Sequence, residues 1–516
     1  MKNGHVKLVG NSAQTIRLHA GDNVVVAVAD IPPGAEIPAE NIRAADHIPA
    51  GHKISTAPVA VGDALRKYGQ VIGFACESIT PGEHVHSHNL NYGDFERDYA
   101  AGSEARDTAY VAEAKRASFK GYRRSDGRVG TRNYIGVLST VNCSATVSRY
   151  VAERYGGDAL DAYPNVDGVV AITHSTGCGM NGGGAGMDML KRTLTGYAQH
   201  PNFGAVLFIG LGCEVAQMGH FVDSEGFEPD ALQHTMTIQD NGGTMATIEA
   251  ACARIDEMLP DIDRARRESV PASELILGLE CGGSDAYSGI SANPSLGAAV
   301  DMLVRHGGTG ILAETPEIYG AEHLLTRRAV NEDVAKRLVD KIHWWEEYAA
   351  KHGSALDNNP TPGNKAGGLT TILEKSLGAA AKGGTTNLVE VYGYAERVTA
   401  KGFVFMDTPG YDPVSVTGMV AGGANMLCFT TGRGSVFGCK PVPCLKLATN
   451  SPMHHRMTSD MDVNCGLVVD GDASIEEMGE QIFRLVLDVA SGAPSKSEAL
   501  GFGDDEFIPW QIGAVL

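Results

Sequence analysis

The sequence predicts a multidomain α/β protein, with a small N-terminal all-β domain followed by two α/β domains built on largely parallel sheets. Three observations carry this. The chain has 516 residues, enough for two to four domains of ordinary size. Its first 95 residues alternate short β-rich runs with Gly/Pro turns. From Phe119 onward, short apolar runs alternate with helical stretches, the pattern of parallel strands joined by crossover helices.

In the first part, residues 1–95, strands are expected at Thr15–Leu18, Val24–Ala29, Ile54–Thr56 and Val71–Ala75, separated by Pro32-Pro33-Gly34, Pro49-Ala50-Gly51 and Pro81-Gly82. Residues 96–118 are charged, Ala-rich and without apolar periodicity, which reads as a partly helical linker. A second domain over 119–260 has apolar runs at Ile135–Leu138, Val169–Ile172 and Ala205–Ile209. A third over 271–516 has runs at Leu275–Leu279, Gly310–Ala313, Leu388–Val391 and Met426–Phe429. Each run ends in a polar, Gly-rich loop, and open α/β sheets bind ligands beyond the carboxyl ends of their strands.

Composition narrows the function. Lys and Arg total 42 against 62 Asp and Glu, a net charge of −20, which argues against nucleic acid and anionic membrane as partners. No apolar run is long enough to span a bilayer, and no signal or transit peptide is evident. Ten cysteines are too few for a disulfide scaffold, so a reduced, cytoplasmic protein with free or metal-bound thiols is expected. The 64 glycines, about 12% of the chain against a usual ~7%, concentrate in the strand-end loops.

Those loops hold the candidate chemistry. Cys143, Cys178, Cys213 and Cys281 each sit near a strand end, where thiolates can bind iron, zinc or an Fe–S cluster; as isolated residues they read as small buried hydrophobes. His84, His86 and His88 alternate, so a strand would place them on one face, able to share a divalent metal. His174 lies just past a strand, as a proton-transfer group or a satisfied structural residue. Lys365, Arg433 and Arg124 lie in tight loops suited to a carboxylate or phosphate. Gly177 to Gly182 spells GxGxxG but is set several residues past its strand and runs into further glycines, which supports an NAD site only weakly. There is no P-loop, GxSxG or HExxH.

Read in order, several segments resemble the altronate/galactarate dehydratase family: Gly121 to Asn133, His174 to Cys178, Ile209 to Glu214, Glu280 to Asn293, Glu314 to His323, Pro362 to Thr370 and Thr430 to Gly434. The first 95 residues, with Gly51-His52-Lys53 and Gly82 to Asn89, resemble its SAF (β-clip) domain, and the His-rich ending is more similar to the altronate branch. The resemblance implies dehydration of D-altronate to 2-dehydro-3-deoxy-D-gluconate by metal-assisted β-elimination, with galactarate or another hexonate or hexarate as alternative substrate. It implies Fe²⁺, replaceable by Mn²⁺, with an Fe–S cluster on the four cysteines as the alternative. On this reading His174, Lys365 and Glu314 are the catalytic candidates. Arg124, Ser284, Asp285, Asn364 and Arg433 bind substrate, and His86 and His88 bind metal. A homodimer is the default assembly. Two readings from other classes stand beside it: a non-catalytic sugar-acid-binding protein and an NAD-dependent oxidoreductase.

Overall fold

The computed structural model describes residues 14–217 and 233–513. The N-terminal part is all-β. Thr15–Ile16, Val24–Ala27, Lys53–Ser55 and His84–Val85 form one antiparallel sheet, and Ala64–Lys67, Gln70–Ala75 and Leu90–Asn91 form another. Val24, Leu65, Ile72, Val85 and Leu90 make a core that is completed by Ala321, Leu377 and Ala380 of the C-terminal domain. The β domain therefore buries apolar surface against its neighbour as well as within itself.

The linker is mostly irregular, with one short 3₁₀ turn at Glu113–Lys115. The strand Ser118–Arg123 then pairs antiparallel with Glu268–Pro271. The second domain lies between these strands, so its entry and exit are zipped together. Its sheet is parallel, in the order Gly168–Ile172, Tyr134–Ser139, Phe203–Gly210, Gln233–Thr237. The helices Asn142–Glu153 and Thr244–Ile262 pack Val147, Val151, Ile248 and Ile255 onto one face.

The C-terminal domain carries a seven-stranded parallel sheet, in the order Leu388–Tyr392, Gly402–Met406, Thr309–Leu312, Ile276–Cys281, Met426–Thr431, Cys444–Ala448, Val463–Asn464. Most central strands are buried throughout, which is why their sequences read as continuous apolar runs. Helix Ile475–Ala490, closed at its start by a Ser474/Glu477 capping box, presents Met478, Ile482, Phe483 and Val486 to the core. Gly479 allows it to approach helix Ala292–Arg305, since a Cβ there would lie 2.6 Å from that of Ala298.

The chain leaves Ile276–Cys281 to build the sheet on one side, then returns to build the other side from Met426–Thr431. The loops beyond the carboxyl ends of these two strands flank a topological switch point, the expected place for a ligand.

Candidate active site

The loop after Cys281 holds Asp285, and the loop after Thr431 holds Arg433. Asp285 binds the surrounding pieces together. Its carboxylate accepts from Thr449 Oγ1 at 2.9 Å, Asn450 Nδ2 at 3.0 Å, Ser288 Oγ at 3.2 Å and the Tyr287 amide at 3.1 Å. Burial raises its pKa, and these donors oppose the rise. The Gly432 backbone packs on this carboxylate, and the amide of Arg433 donates to Gly283 O at 2.8 Å, leaving the Arg433 side chain exposed at the mouth.

On the other side of Asp285 runs the segment Pro362 to Thr371. Gly367 packs against the Asp285 side chain and accepts the Ala286 amide at 2.9 Å. Asn364 donates to Ser284 O at 2.8 Å while its own oxygen accepts from Thr361 in a capping box. Asn364 thus holds the loop rather than facing a ligand. Ser284 and Asp285 line a cavity of about 10 Å³ together with Tyr68, Glu374 and Lys375, room for one water.

The β domain closes over this segment. Gly368 has φ +94°, and a Cβ there would fall 2.5 Å from Gly51 O, so only glycine permits the contact. Beneath it, Lys53 Nζ donates to Glu374 at 2.8 and 3.1 Å and to Gly368 O at 2.7 Å, and Lys67 Nζ donates to Glu374 at 3.0 Å. All three side chains are at most 1% exposed. Two flanking ammonium groups hold the Glu374 carboxyl far below its usual range, while burial pulls Lys53 down to about 8.

Four histidines converge where the β domain meets the 362–371 segment. His52 Nδ1 and His84 Nε2 are 2.9 Å apart, and the rings of His52 and His86 stack at 4.8 Å. His88, exposed, lies 5.4 Å from His84, ring to ring. The expected strand carrying His84, His86 and His88 on one face stops at Val85, and a turn closed by Asn89 N and Leu90 N on His86 O carries the last two. The rings gather through that turn, with His52 joining from the neighbouring strand. Burial and mutual repulsion lower His52 to about 4 and His84 to about 3, and burial lowers His86, so these three are neutral at neutral pH. His86 Nε2 donates to Lys365 O at 2.9 Å, which leaves its Nδ1 as a lone pair beside Ser87 Oγ at 3.0 Å. His52 donates to Ala366 O, so it accepts from His84 Nε2, and His84 Nδ1 keeps its lone pair. Metal-binding imidazoles almost always donate their other N–H to a carbonyl or carboxylate in this way.

Behind the switch point lies a fully buried ionic network. Lys382 Nζ meets Glu314 at 2.6 Å, Lys375 Nζ meets Glu317 at 2.6 Å, and Cys281 Sγ is 3.4 Å from both carboxylates. Glu314 sits at φ +66°, ψ +62°, a left-handed conformation rare for Glu. Glu280 is held neutral by burial beside the Glu314 carboxylate, and Asp412 is pushed up to about 7 by burial and by Glu314 and Glu317. Cys281, Glu314 and Glu317 bring their ligand atoms within 4.8 Å of one another, but two ammonium groups already occupy those carboxylates.

Residues 272–515 match the D-galactarate/altronate dehydratase C-terminal domain, 121–263 the second domain of D-galactarate dehydratase/altronate hydrolase, and 13–93 the altronate/galactarate dehydratase SAF domain. The chain belongs to this family. It is 36% identical to an altronate dehydratase of Bacillus subtilis over 92% of this chain and 95% of the relative. It is also 36% identical to a galactarate dehydratase (L-threo-forming) of Escherichia coli, over 95% of each chain. An E. coli altronate dehydratase is 36% identical over 95% of this chain and 97% of the relative. The protein is an enzyme of the hydro-lyase class.

Within this family member, some residues singled out from sequence meet at the seam and some do not. His86, His88, Ser284, Asp285, Asn364, Lys365 and Arg433 lie along it, and Glu314 lies directly behind it. Arg124 does not: it donates to Pro201 O at 2.7 Å and Arg132 O at 3.2 Å in the second domain, and serves the fold there. His174 is also spent on structure. Its Nε2 donates to Ser139 O at 3.0 Å, its Nδ1 accepts the Thr176 amide at 3.3 Å, and burial lowers it to about 4, so neither nitrogen is free for a proton. The four cysteines do not form one set. Cys281 is the last residue of its strand and buried in the C-terminal domain, whereas Cys143, in the first turn of helix Asn142–Glu153, and Cys178 and Cys213, in loops, are exposed in the second domain.

Sequence reading gave no site role to His52, Lys53, Lys67, Glu317, Lys382 or Asp412. The available signal was the placement of Lys53 and Lys67 at inward positions of β-strands, where a lysine needs a buried partner. Among the described residues, no helix is long and apolar enough to cross a membrane.

Proposed function

We propose that the chain dehydrates D-altronate to 2-dehydro-3-deoxy-D-gluconate by β-elimination at the seam between the β domain and the C-terminal switch-point loops. The observation that carries this reading is the histidine cluster, neutral and tied to the 365–366 carbonyls, set opposite an exposed arginine across Asp285. Galactarate is the alternative substrate, since relatives of both names are equally similar.

Neutral imidazole is the form that binds a divalent ion of intermediate softness, and this supports one at the histidine cluster. His84, His86 and His88 would hold it, with Fe²⁺ the reading and Mn²⁺ a substitute. Such an ion, when bound, supplies Lewis acidity to the carboxylate and the departing hydroxyl. The chain's own residues do the rest. Arg433 pairs with the substrate carboxylate, where charge grows as the C2 proton leaves. The Lys365 side chain is the group placed to take that proton or hand one to the leaving hydroxyl. Asp285 fixes the Arg433 turn, and the Lys53–Glu374–Lys67 triad fixes the β domain over the loop.

The test is turnover of a panel of aldonates and aldarates after chelation and anaerobic return of Fe²⁺ or Mn²⁺, read as 2-keto-3-deoxy product. Altronate should be turned over fastest and only with metal returned. Full activity in the chelated enzyme overturns the metal reading, and a preference for galactarate overturns the substrate.

A further inference from the structure

A cavity of about 750 Å³ lies away from the seam, between the second and C-terminal domains. It is walled by helix Ala185–Ala198 on one side and by the turn Ala421 to Asn425 and the segment Ala395 to Lys401 on the other. The two sides meet closely: a Cβ on Gly196 would fall 2.2 Å from Ala421 O. Ile276, the first residue of the strand that ends at Cys281, also lines it. At the usual rise, that strand separates the cavity from the switch-point loops by roughly 17 Å. This is the amino edge of the sheet, whereas the proposed chemistry sits at the carboxyl edge.

The walls run against the charge of the chain. Arg128, Lys191, Arg192, Arg397 and Lys401 line the cavity. Asp188, Glu274 and Glu396 oppose them, in a protein whose net charge is −20. Arg192 is paired with Glu396 at 3.1 Å and Arg128 with Asp126 at 2.6 Å. Lys191 and Arg397 hold no ion pair among the described residues. Thr195, 8% exposed, lines the cavity as well, though its hydroxyl and the Arg192 Nε are closed off from the open space. Val129, Ile276, Ala395, Val398 and Ala421 make the apolar part of the wall, and Gln199, His200, Thr399 and Asn425 add polar groups. Interdomain clefts of this size, mostly apolar with a few convergent polar groups, are where small ligands bind.

We propose that this cavity is a second binding site, separate from the seam, for a small organic oxyanion whose carboxylate or phosphate ester is held by Lys191 and Arg397. Its size admits an organic body as well as the anionic group, and the histidine in its wall, His200, has both nitrogens committed to backbone, Nε2 donating to Ala424 O at 2.9 Å and Nδ1 accepting the Asn202 amide at 3.1 Å, so the role is binding.

The intact chain is titrated calorimetrically with citrate, gluconate, glycerol 3-phosphate and inorganic phosphate, as wild type, as the Lys191→Ala/Arg397→Ala double variant and as Thr195→Val. At least one organic anion is expected to bind saturably, roughly ten-fold or more weaker in the double variant, as loss of charge-assisted contacts predicts. Altronate turnover in the double variant should equal that of wild type. If carboxylates bind and phosphate esters do not, or the reverse, the anionic group is identified. Binding of inorganic phosphate alone, binding indifferent to all three substitutions, or no binding by any probe overturns the proposal. Should the double variant fold poorly, the Lys191→Glu single variant gives the same reading, since reversing that charge must abolish an anion site.

Discussion

Replacing Glu374 by Gln tests what holds the β domain in place. The carboxylate answers Lys53 through both oxygens and Lys67 through one, and also accepts from Thr370 Oγ1 at 2.7 Å and the Thr370 amide at 3.0 Å. A glutamine keeps the shape but brings one acceptor oxygen and an NH₂ that must face a donor. Lys53, already pulled down to about 8 beside the carboxylate, would be driven to give up its proton, and Lys67, at most 1% exposed, would be left an ammonium with no counter-charge. Breaking a buried pair by removing one partner costs about 3–5 kcal/mol, and one carboxylate here serves two cations, so the upper part of that range is expected. At about 1.4 kcal/mol per decade, docking weakens by roughly 10³-fold. Hydrogen exchange should show the loss in Lys53–Ser55 and Ala64–Lys67, with a lower unfolding midpoint and a fall in kcat/KM. The sign with pH follows from the depressed Glu374 carboxyl. Its contribution is fully present above the unfolded value near ~4.3 and is lost as pH falls toward the folded value, so wild-type docking is flat through neutrality and weakens only in acid. Unchanged exchange and midpoint in the variant would refute the reasoning.

His86→Ala with His88→Ala should abolish stoichiometric Fe²⁺ or Mn²⁺ by elemental analysis while leaving the unfolding midpoint of the metal-free protein close to wild type; full metal content sinks the ligand assignment. Gly368→Ala forces a Cβ to 2.5 Å from Gly51 O at φ +94°, so a destabilisation of more than ~1 kcal/mol and looser docking are expected by denaturant titration and exchange. Asp285→Asn leaves too few acceptors for Thr449 and Asn450 and loosens the Arg433 turn; KM should rise several-fold more than kcat falls, and steady-state kinetics with unchanged KM would count against it. His174→Leu should lower stability by about 1–3 kcal/mol through two lost buried hydrogen bonds, measured by thermal unfolding; an unaltered midpoint would mean its contacts to Ser139 and Thr176 do not matter.

By itself the amino-acid sequence determined the architecture and pointed to the loops where the site is proposed. Continuous apolar runs such as Met426 to Phe429 are legible because both faces of a parallel strand are buried, and the change from turn-punctuated β runs to strand–helix alternation marks the domains. The loops at Asp285 and Arg433 were legible because a ligand edge follows from strand polarity, whereas Lys365 comes from the short helix Pro362–Ala366, which follows no strand. Roles within those loops were decided only by the tertiary structure. Cys281 and Cys143 look alike as strand-end thiols, yet the strand carrying Cys281 runs on to pair with Thr430 and buries it, while Cys143 lies in the first turn of a helix on its exposed side. His174 and His86 look alike as loop imidazoles, yet one has both nitrogens committed to backbone and the other keeps a lone pair beside a serine. Lys53 and Glu374 lie 321 residues apart, and no local pattern joins them. Local periodicity reports which face of an element is buried. Which ionic and hydrogen-bonding partners wait on the other side depends on contacts between distant segments, and those partners settle whether a polar residue is left free for chemistry.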